Sequence, residues 1–198
     1  MKKLAIFDLG QVCVRIHIER CNEIWLRLAG KESLGEGEFA WKEHDCYERG
    51  EIEAPELWAA LRKTMGLNLS DAQWLEGWNS IFGEEIVQTR STIKQMKAAG
   101  LRVVALSNTN RAHVEVWKPL YSEFLDMFDQ IYVSNEMGMR KPESRIYEKL
   151  LELEGFEGRD AVFFDDKIEN IESARKLGIE AVHFDRDAAA WDWWAESI

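Results

Sequence analysis

Three acids, a serine and a lysine stand where runs of apolar residues stop. Asp8 follows Leu4–Phe7 in "LAIFDLG", Ser107 and Asn108 follow "RVVAL", and Asp165 and Asp166 follow "AVFF". Lys141 comes later than an "IYV" run, in "GMRKPE", just before a helix-like segment. Each has a plain explanation on its own: Ser107 as a turn residue or helix cap, Lys141 as an exposed charge, Asp165–Asp166 as a cap for the helix that follows. Together they are the set that phosphoryl transfer through an aspartyl-phosphate requires. Asp8 would attack phosphorus. A carboxylate facing an anionic phosphate is repelled, so a hard divalent cation is needed between them, and Mg²⁺ suits ligands drawn from carboxylates, a backbone carbonyl and water. Asp166, supported by Asp165, would complete that metal site. Lys141 would neutralise the transferring oxygens, and the Ser107 hydroxyl with nearby backbone N–H groups would hold them.

The elements that must position this set alternate. Residues 3–7, 101–106, 130–133, 160–164 and 179–184 are short apolar runs rich in Val, Ile and Phe. Between most of them lie helical patterns: Ile93 and Met96 before Gly100; Ile146, Leu150 and Leu153 in a helix that Pro142 can open; Ile168, Ile171 and Ala174 before Gly178. Such alternation predicts an α/β fold, a Rossmann-like parallel sheet with helices on both faces, whose ligands bind beyond the carboxyl ends of the strands. From about residue 15 to 87 the pattern shows no convincing strand. Cys21, Ile24, Trp25 and Leu28 recur at helical spacing before Gly30. Pro55 opens a segment with Leu57, Trp58, Leu61 and Met65 on one face, and Ser70 with Gln73 forms a capping box ahead of Trp74 and Trp78. The "LGEGE" and "ERGEIEAPE" stretches read as turns. The expectation is a catalytic core from 1–14 and 88–198, with a small all-helical cap, 15–87, inserted after the first strand. The tryptophans at helical spacing read as cap core, and the C-terminal "DAAAWDWWAESI" reads as a short amphipathic helix packed on the sheet.

Composition narrows the partners. With 198 residues, 46% of them hydrophobic and three prolines, the chain can bury a substantial core. Its net charge of −11, from 36 acids and 25 bases, argues against a nucleic-acid surface or an anionic membrane; an anionic substrate would need a local cation or metal. Three cysteines, an odd count without C-x-x-C spacing, read as reduced, packed thiols. The opening "MKKLAIFD" breaks at Asp8 too early for a signal peptide, and no run reaches the ~18 apolar residues of a membrane span. A cytoplasmic enzyme with a small phosphorylated substrate and no inferred protein partner is the expectation.

The motifs "IFDLG", "VVALSNTN", "GMRKPESRIY" and "VFFDDKIENIESARKLGI", in this order, resemble those of the haloacid dehalogenase superfamily of aspartate-nucleophile phosphatases. The resemblance spans the chain, helical cap included. It implies a phosphomonoester hydrolase with Asp8 as nucleophile and Mg²⁺ ligand. The Gly10 carbonyl and Asp166 would be further ligands, with Asp165 in the same acidic site. Ser107, Asn108 and Lys141 would contact phosphate, and Asn170 would support the site. "IFDLGQV", "LSNTNR", "GMRKPE", "FFDDKIENIE" and the cap's "YERGEI" look similar to bacterial sugar-phosphate phosphatases acting on alpha-D-glucose 1-phosphate. One position departs from the wider family. Where most of its phosphatases carry an aspartate that protonates the leaving oxygen, this chain has Gly10, and general acid–base help of that kind is worth about 10²–10⁴-fold. Either the substrate leaves easily, as a sugar 1-phosphate does through its anomeric oxygen, or a cap residue such as Glu48 supplies the acid. The alternatives are a metal-independent haloacid dehalogenase, which also lacks that second aspartate, and a catalytically inactive sugar-phosphate-binding protein.

Overall fold

In the computed structural model the described residues are 2–33, 38–185 and 190–197. Five strands, β1 (Leu4–Phe7), β4 (Arg102–Ser107), β5 (Gln130–Val133), β6 (Ala161–Asp165) and β7 (Glu180–His183), form one parallel sheet in the order β5-β4-β1-β6-β7. These match the five apolar runs read from the sequence. The period of two along each strand explains why both faces are covered. Ala5, Phe7, Val103, Ala105, Val162 and Phe164 point into one core, while Leu4, Ile6, Val104, Leu106, Ala161 and Phe163 point into another.

The first core is closed by helices α5 (Val87–Ala98), α6 (Arg111–Leu120), α7 (Ser122–Leu125) and α11 (Ala190–Ser197), through Ile93, Met96, Trp117, Phe124 and Trp194. The amphipathic C-terminal segment therefore does pack on the sheet. The second core is closed by α9 (Ser144–Glu154) and α10 (Ile168–Arg175), and a short α8 (Ser134–Met137) precedes them. The buried stripe of α9 is Ile146, Tyr147, Leu150 and Leu151, so Leu153, expected on that stripe, is exposed instead. Ile168, placed on the apolar face of α10, is likewise half exposed at the helix's first position.

The insertion after β1 carries α1 (Ile18–Ala29), α2 (Trp41–Glu48), α3 (Ala54–Met65) and α4 (Asp71–Trp78). The capping box at Ser70 and Gln73 forms as read, and Pro55 lies in the first turn of α3. Trp25, Trp58, Trp74 and Trp78 are buried together with Leu57, Leu61 and Met65, giving the insertion its own aromatic core. The insertion is not wholly helical. Val14–Ile16 (β2) and Phe82–Glu85 (β3) pair antiparallel at its two ends, which ties its entry and exit into one ribbon. Strands this short, one of them with a glycine and two glutamates, carry too little alternation to be seen as a period. Residues 34–37 of the "LGEGE" turn lie outside the described residues. Among the described residues no helix is long and apolar enough to cross a membrane.

Candidate active site

Strand register brings the acids together. Phe7 pairs with Phe164, so the next residues out, Asp8 and Asp165, emerge side by side from β1 and β6, and the Asp8 amide donates to the Phe164 carbonyl at 2.9 Å. The chain runs from β1 outward to β4 and β5, then returns to β6 on the other side. The two acids therefore flank the point where the strand order reverses, where open α/β sheets bind their ligands.

Lys141 joins them. Its Nζ lies 2.8 Å from Asp8 Oδ1 and 2.7 Å from Asp165 Oδ2, and its side chain is 1% exposed. Asp165 is completely buried, and its other oxygen accepts from the Asn170 side-chain amide and the Lys167 backbone N–H, both at 2.8 Å. Asn170 thus fixes Asp165. Asn108 holds the lysine from behind: its Nδ2 donates to the Lys141 carbonyl and its Oδ1 accepts from the Lys141 N–H, both at 2.8 Å. Much of the Asn108 amide is therefore spent on the Lys141 backbone. Ser107, at the end of β4, is buried, with its hydroxyl 3.4 Å from the Asn108 carbonyl. The next turn is braced by Ser134, which accepts from the Thr109 N–H and donates to the Thr109 carbonyl, both at 2.9 Å. Neither Thr109 nor Ser134 carried a signal in the sequence, since the bonds join two loops far apart in the chain.

The charge count leaves room for a cation. Oxygens of Asp8, Asp165 and Asp166 lie within 4.8 Å of one another, with one ammonium among them. Burial pushes the Asp8 carboxyl up to about 7; Lys141 opposes this, and Asp165 and Asp166 add to it. Burial, then Asp165, raises Asp166 as well. Burial alone would lower the Lys141 ammonium, but the Asp165 and Asp8 carboxylates outweigh it and hold the lysine charged. Three clustered carboxylates against one fixed positive charge are an all-oxygen donor set of the kind a hard divalent ion satisfies, so the residues fit Mg²⁺. Beneath Asp8 the Cys13 thiol donates to the Asp8 carbonyl at 3.1 Å, and burial raises it well above the usual thiol range, which makes it a packed and inert group.

Gly10 lies at the mouth of the site, in a bridge with Val14 at the root of the ribbon. A Cβ there would meet Ile16 Cγ1 at 3.3 Å, a tight contact that a small movement of Ile16 relieves. An open cleft of about 300 Å³ adjoins Asp166, lined also by Gln11, Arg15, His183, Phe184 and Asp185. The cap meets this edge through α2. Glu48 is buried, and its Oε2 accepts from Arg140 Nε at 2.7 Å. That oxygen is thus committed to a core arginine 92 residues away in sequence. His44, Asp45 and Glu48 also lie close enough to hold an ion, but Arg140 already occupies both carboxylates, reaching Asp45 at 3.1 Å.

Residues 2–178 match the family model of haloacid dehalogenase-like hydrolases. The chain belongs to that family. It is similar in structure to a HAD family enzyme of Bacteroides thetaiotaomicron solved with magnesium and inorganic phosphate, with a TM-score of 0.77, 25% identity, and coverage of 98% of this chain and 100% of that one. In sequence it is 25% identical over 205 residues to the D-ribitol-5-phosphate phosphatase of B. thetaiotaomicron, covering 98% of this chain and 95% of that protein. It is also 26% identical over 181 residues to a sesquiterpene phosphatase of Aspergillus oryzae, covering 91% and 89% respectively. This member of the family is a hydrolase whose full-length relatives include phosphatases and whose structural neighbours bind magnesium.

Proposed function

We propose that the protein is a Mg²⁺-dependent phosphomonoesterase that works through an aspartyl-phosphate on Asp8, with a sugar phosphate such as alpha-D-glucose 1-phosphate as substrate. The observation that carries this reading is the arrangement of Asp8, Asp165 and Asp166 around the Lys141 ammonium at the sheet's reversal point. Asp8, the Gly10 carbonyl and Asp166, with Asp165 behind them, would hold Mg²⁺, which when bound offsets the repulsion between carboxylate and phosphate. Asp8 Oδ attacks phosphorus and the ester oxygen leaves. Lys141 and the Ser107 hydroxyl, with backbone N–H groups of the Asn108 turn, take the charge on the transferring oxygens. Water then attacks phosphorus, the Asp8–phosphate bond breaks, and phosphate is released with the carboxylate restored.

No side chain at position 10 protonates the departing oxygen, and the cap acid Glu48 is bound to Arg140. Rate must then depend on a leaving group that departs without much proton help, which favours an anomeric oxygen over an ordinary alcohol. The relatives' named substrates, a polyol phosphate and sesquiterpene phosphates, support the phosphomonoester class. The test is phosphate release with Mg²⁺ from hexose 1-phosphates, hexose 6-phosphates, ribitol 5-phosphate and a prenyl phosphate. Turnover of the 1-phosphates above the 6-phosphates is the expected result. Release from none of them would overturn the reading.

A further inference from the structure

The loop that carries Lys141 is gripped by the cap on both sides of the lysine. One residue before it, Arg140 donates to Glu48 at 2.7 Å and lies 3.1 Å from Asp45. Two residues after it, Glu143 accepts from Arg49 Nη1 at 3.1 Å. Glu48 and Arg49 are neighbours at the end of α2, so adjacent cap residues of opposite charge meet core residues of opposite charge in reverse sense. A shift of the cap by one residue would bring like charges together, so the pattern specifies one seating. Backbone packing enforces the same seating: Gly50, at φ +68°, lies so close to α8 that a Cβ there would collide with the Asn135 carbonyl oxygen.

Ion pairs at an exposed surface contribute little, typically about 0.2–1 kcal/mol. These are not fully exposed: Glu48, Arg140 and Arg49 side chains are 11%, 18% and 18% exposed. Their target is also unusual. The Lys141 backbone is held by Asn108 and its ammonium by Asp8 and Asp165, while the two cap pairs anchor the loop residues on either side of it, Arg140 and Glu143.

Resting on the phosphatase reading above, we propose that Glu48 and Arg49 are positioning residues for Lys141, acting through Arg140 and Glu143, so that seating of the cap and placement of the catalytic ammonium are one event. Glu48 then acts by its charge on Arg140 and transfers no proton. A displacement of about 1 Å at a catalytic group can cost ~10²-fold in rate, so a loosened loop that keeps its lysine should cost less.

The test is a double-mutant cycle of Glu48→Gln and Arg140→Gln, read three ways: kcat and KM for the best phosphate ester, the pH–rate profile, and hydrogen exchange of the Lys141 amide. Each single variant should lower kcat about tenfold with KM within about threefold, and the double variant should lose no more than either single. The limbs of the pH–rate profile should stay where they are, and the Lys141 amide should exchange faster in all three variants. Loss of a pH limb in Glu48→Gln alone, with Arg140→Gln unaffected, would overturn the proposal in favour of an acid role. Additive losses, or a Lys141 amide as protected as in the unaltered protein, would overturn it too. The exchange readout needs no turnover, so a protein that released no phosphate would defeat the phosphatase reading while leaving this coupling measurable.

Discussion

The carboxyl edge of the sheet and the interior of the cap are both tightly built, but from opposite materials. At the sheet edge, buried charges are held by short bonds to one another: Lys141 to Asp8 and Asp165, and Asp165 to Asn170. The cap interior is aromatic, with Trp58 stacked on Trp74 at a ring separation of 6.3 Å and Trp25 set edge-on to Trp74 at 4.7 Å. Charge held in a low-dielectric pocket is costly to the fold and useful to chemistry. Aromatic packing stabilises and has no chemistry of its own. Substitutions at the two places should therefore fail differently: the first in activity and charge balance, the second in local order.

The largest effect is expected from Lys141→Met. It leaves Asp8 and Asp165 facing each other in a buried site without their cation, which should cost about 3–5 kcal/mol of stability and remove turnover, as read by urea unfolding and phosphate release. Trp58→Ala should cost a similar ~3–5 kcal/mol, but the loss should fall on the cap. Hydrogen exchange should accelerate across α2–α4 while amides of β1, β4 and β6 keep their protection. Uniform acceleration would mean that cap and sheet unfold as one unit, and the contrast between them would be lost.

A smaller effect separates the regions by pH. Asp8 is raised from 3.8 to about 7 in the folded protein. A carboxyl raised by folding contributes stability below its unfolded pKa and loses that contribution as pH rises through the folded one. Melting in a chelator should therefore show a component of stability that declines between about pH 4 and pH 7. Asp8→Asn should abolish that component, and Mg²⁺ should stabilise more at the upper end than at the lower. A slope that survives Asp8→Asn would place the titration elsewhere. The smallest change, Gly10→Asp, restores a carboxyl at the mouth of the site at the cost of a tight contact with Ile16. It should raise kcat for hexose 6-phosphates more than for 1-phosphates, narrowing the preference between them. An unchanged ratio would show that the leaving group does not set the rate.

The sheet was legible because its central strands β1, β4 and β6 are buried along almost all of their length, and burial writes itself as unbroken apolar runs, two of which lead into the acids Asp8 and Asp165. The convergence of Asp8, Ser107, Lys141 and Asp165–Asp166 followed from the rule that parallel strands present their carboxyl ends together. What escaped was local and weak, or distant and specific. Helix α2 carries no strong apolar stripe and no side-chain cap at Ala40, so within the region expected to be helical "WKEHDCYE" was not picked out as a helix, and "ERGEIEAPE", read as a turn, holds the end of α2 and the start of α3. The ribbon of β2 and β3 was too short to show a period. Glu48, singled out as a possible acid, turned out to be bound to Arg140, 92 residues away in sequence. No local pattern announces such a pair, because it exists only once the cap is seated on the sheet.

The central claim is that Asp8 becomes covalently phosphorylated. The most direct measurement is an acid quench during turnover of a hexose 1-phosphate with Mg²⁺, followed by intact-mass and peptide analysis. The account predicts a single acid-stable, base-labile phosphoryl adduct on the peptide containing Asp8, absent in Asp8→Asn and absent without the metal. Turnover without any adduct, or an adduct that persists in Asp8→Asn, would contradict it.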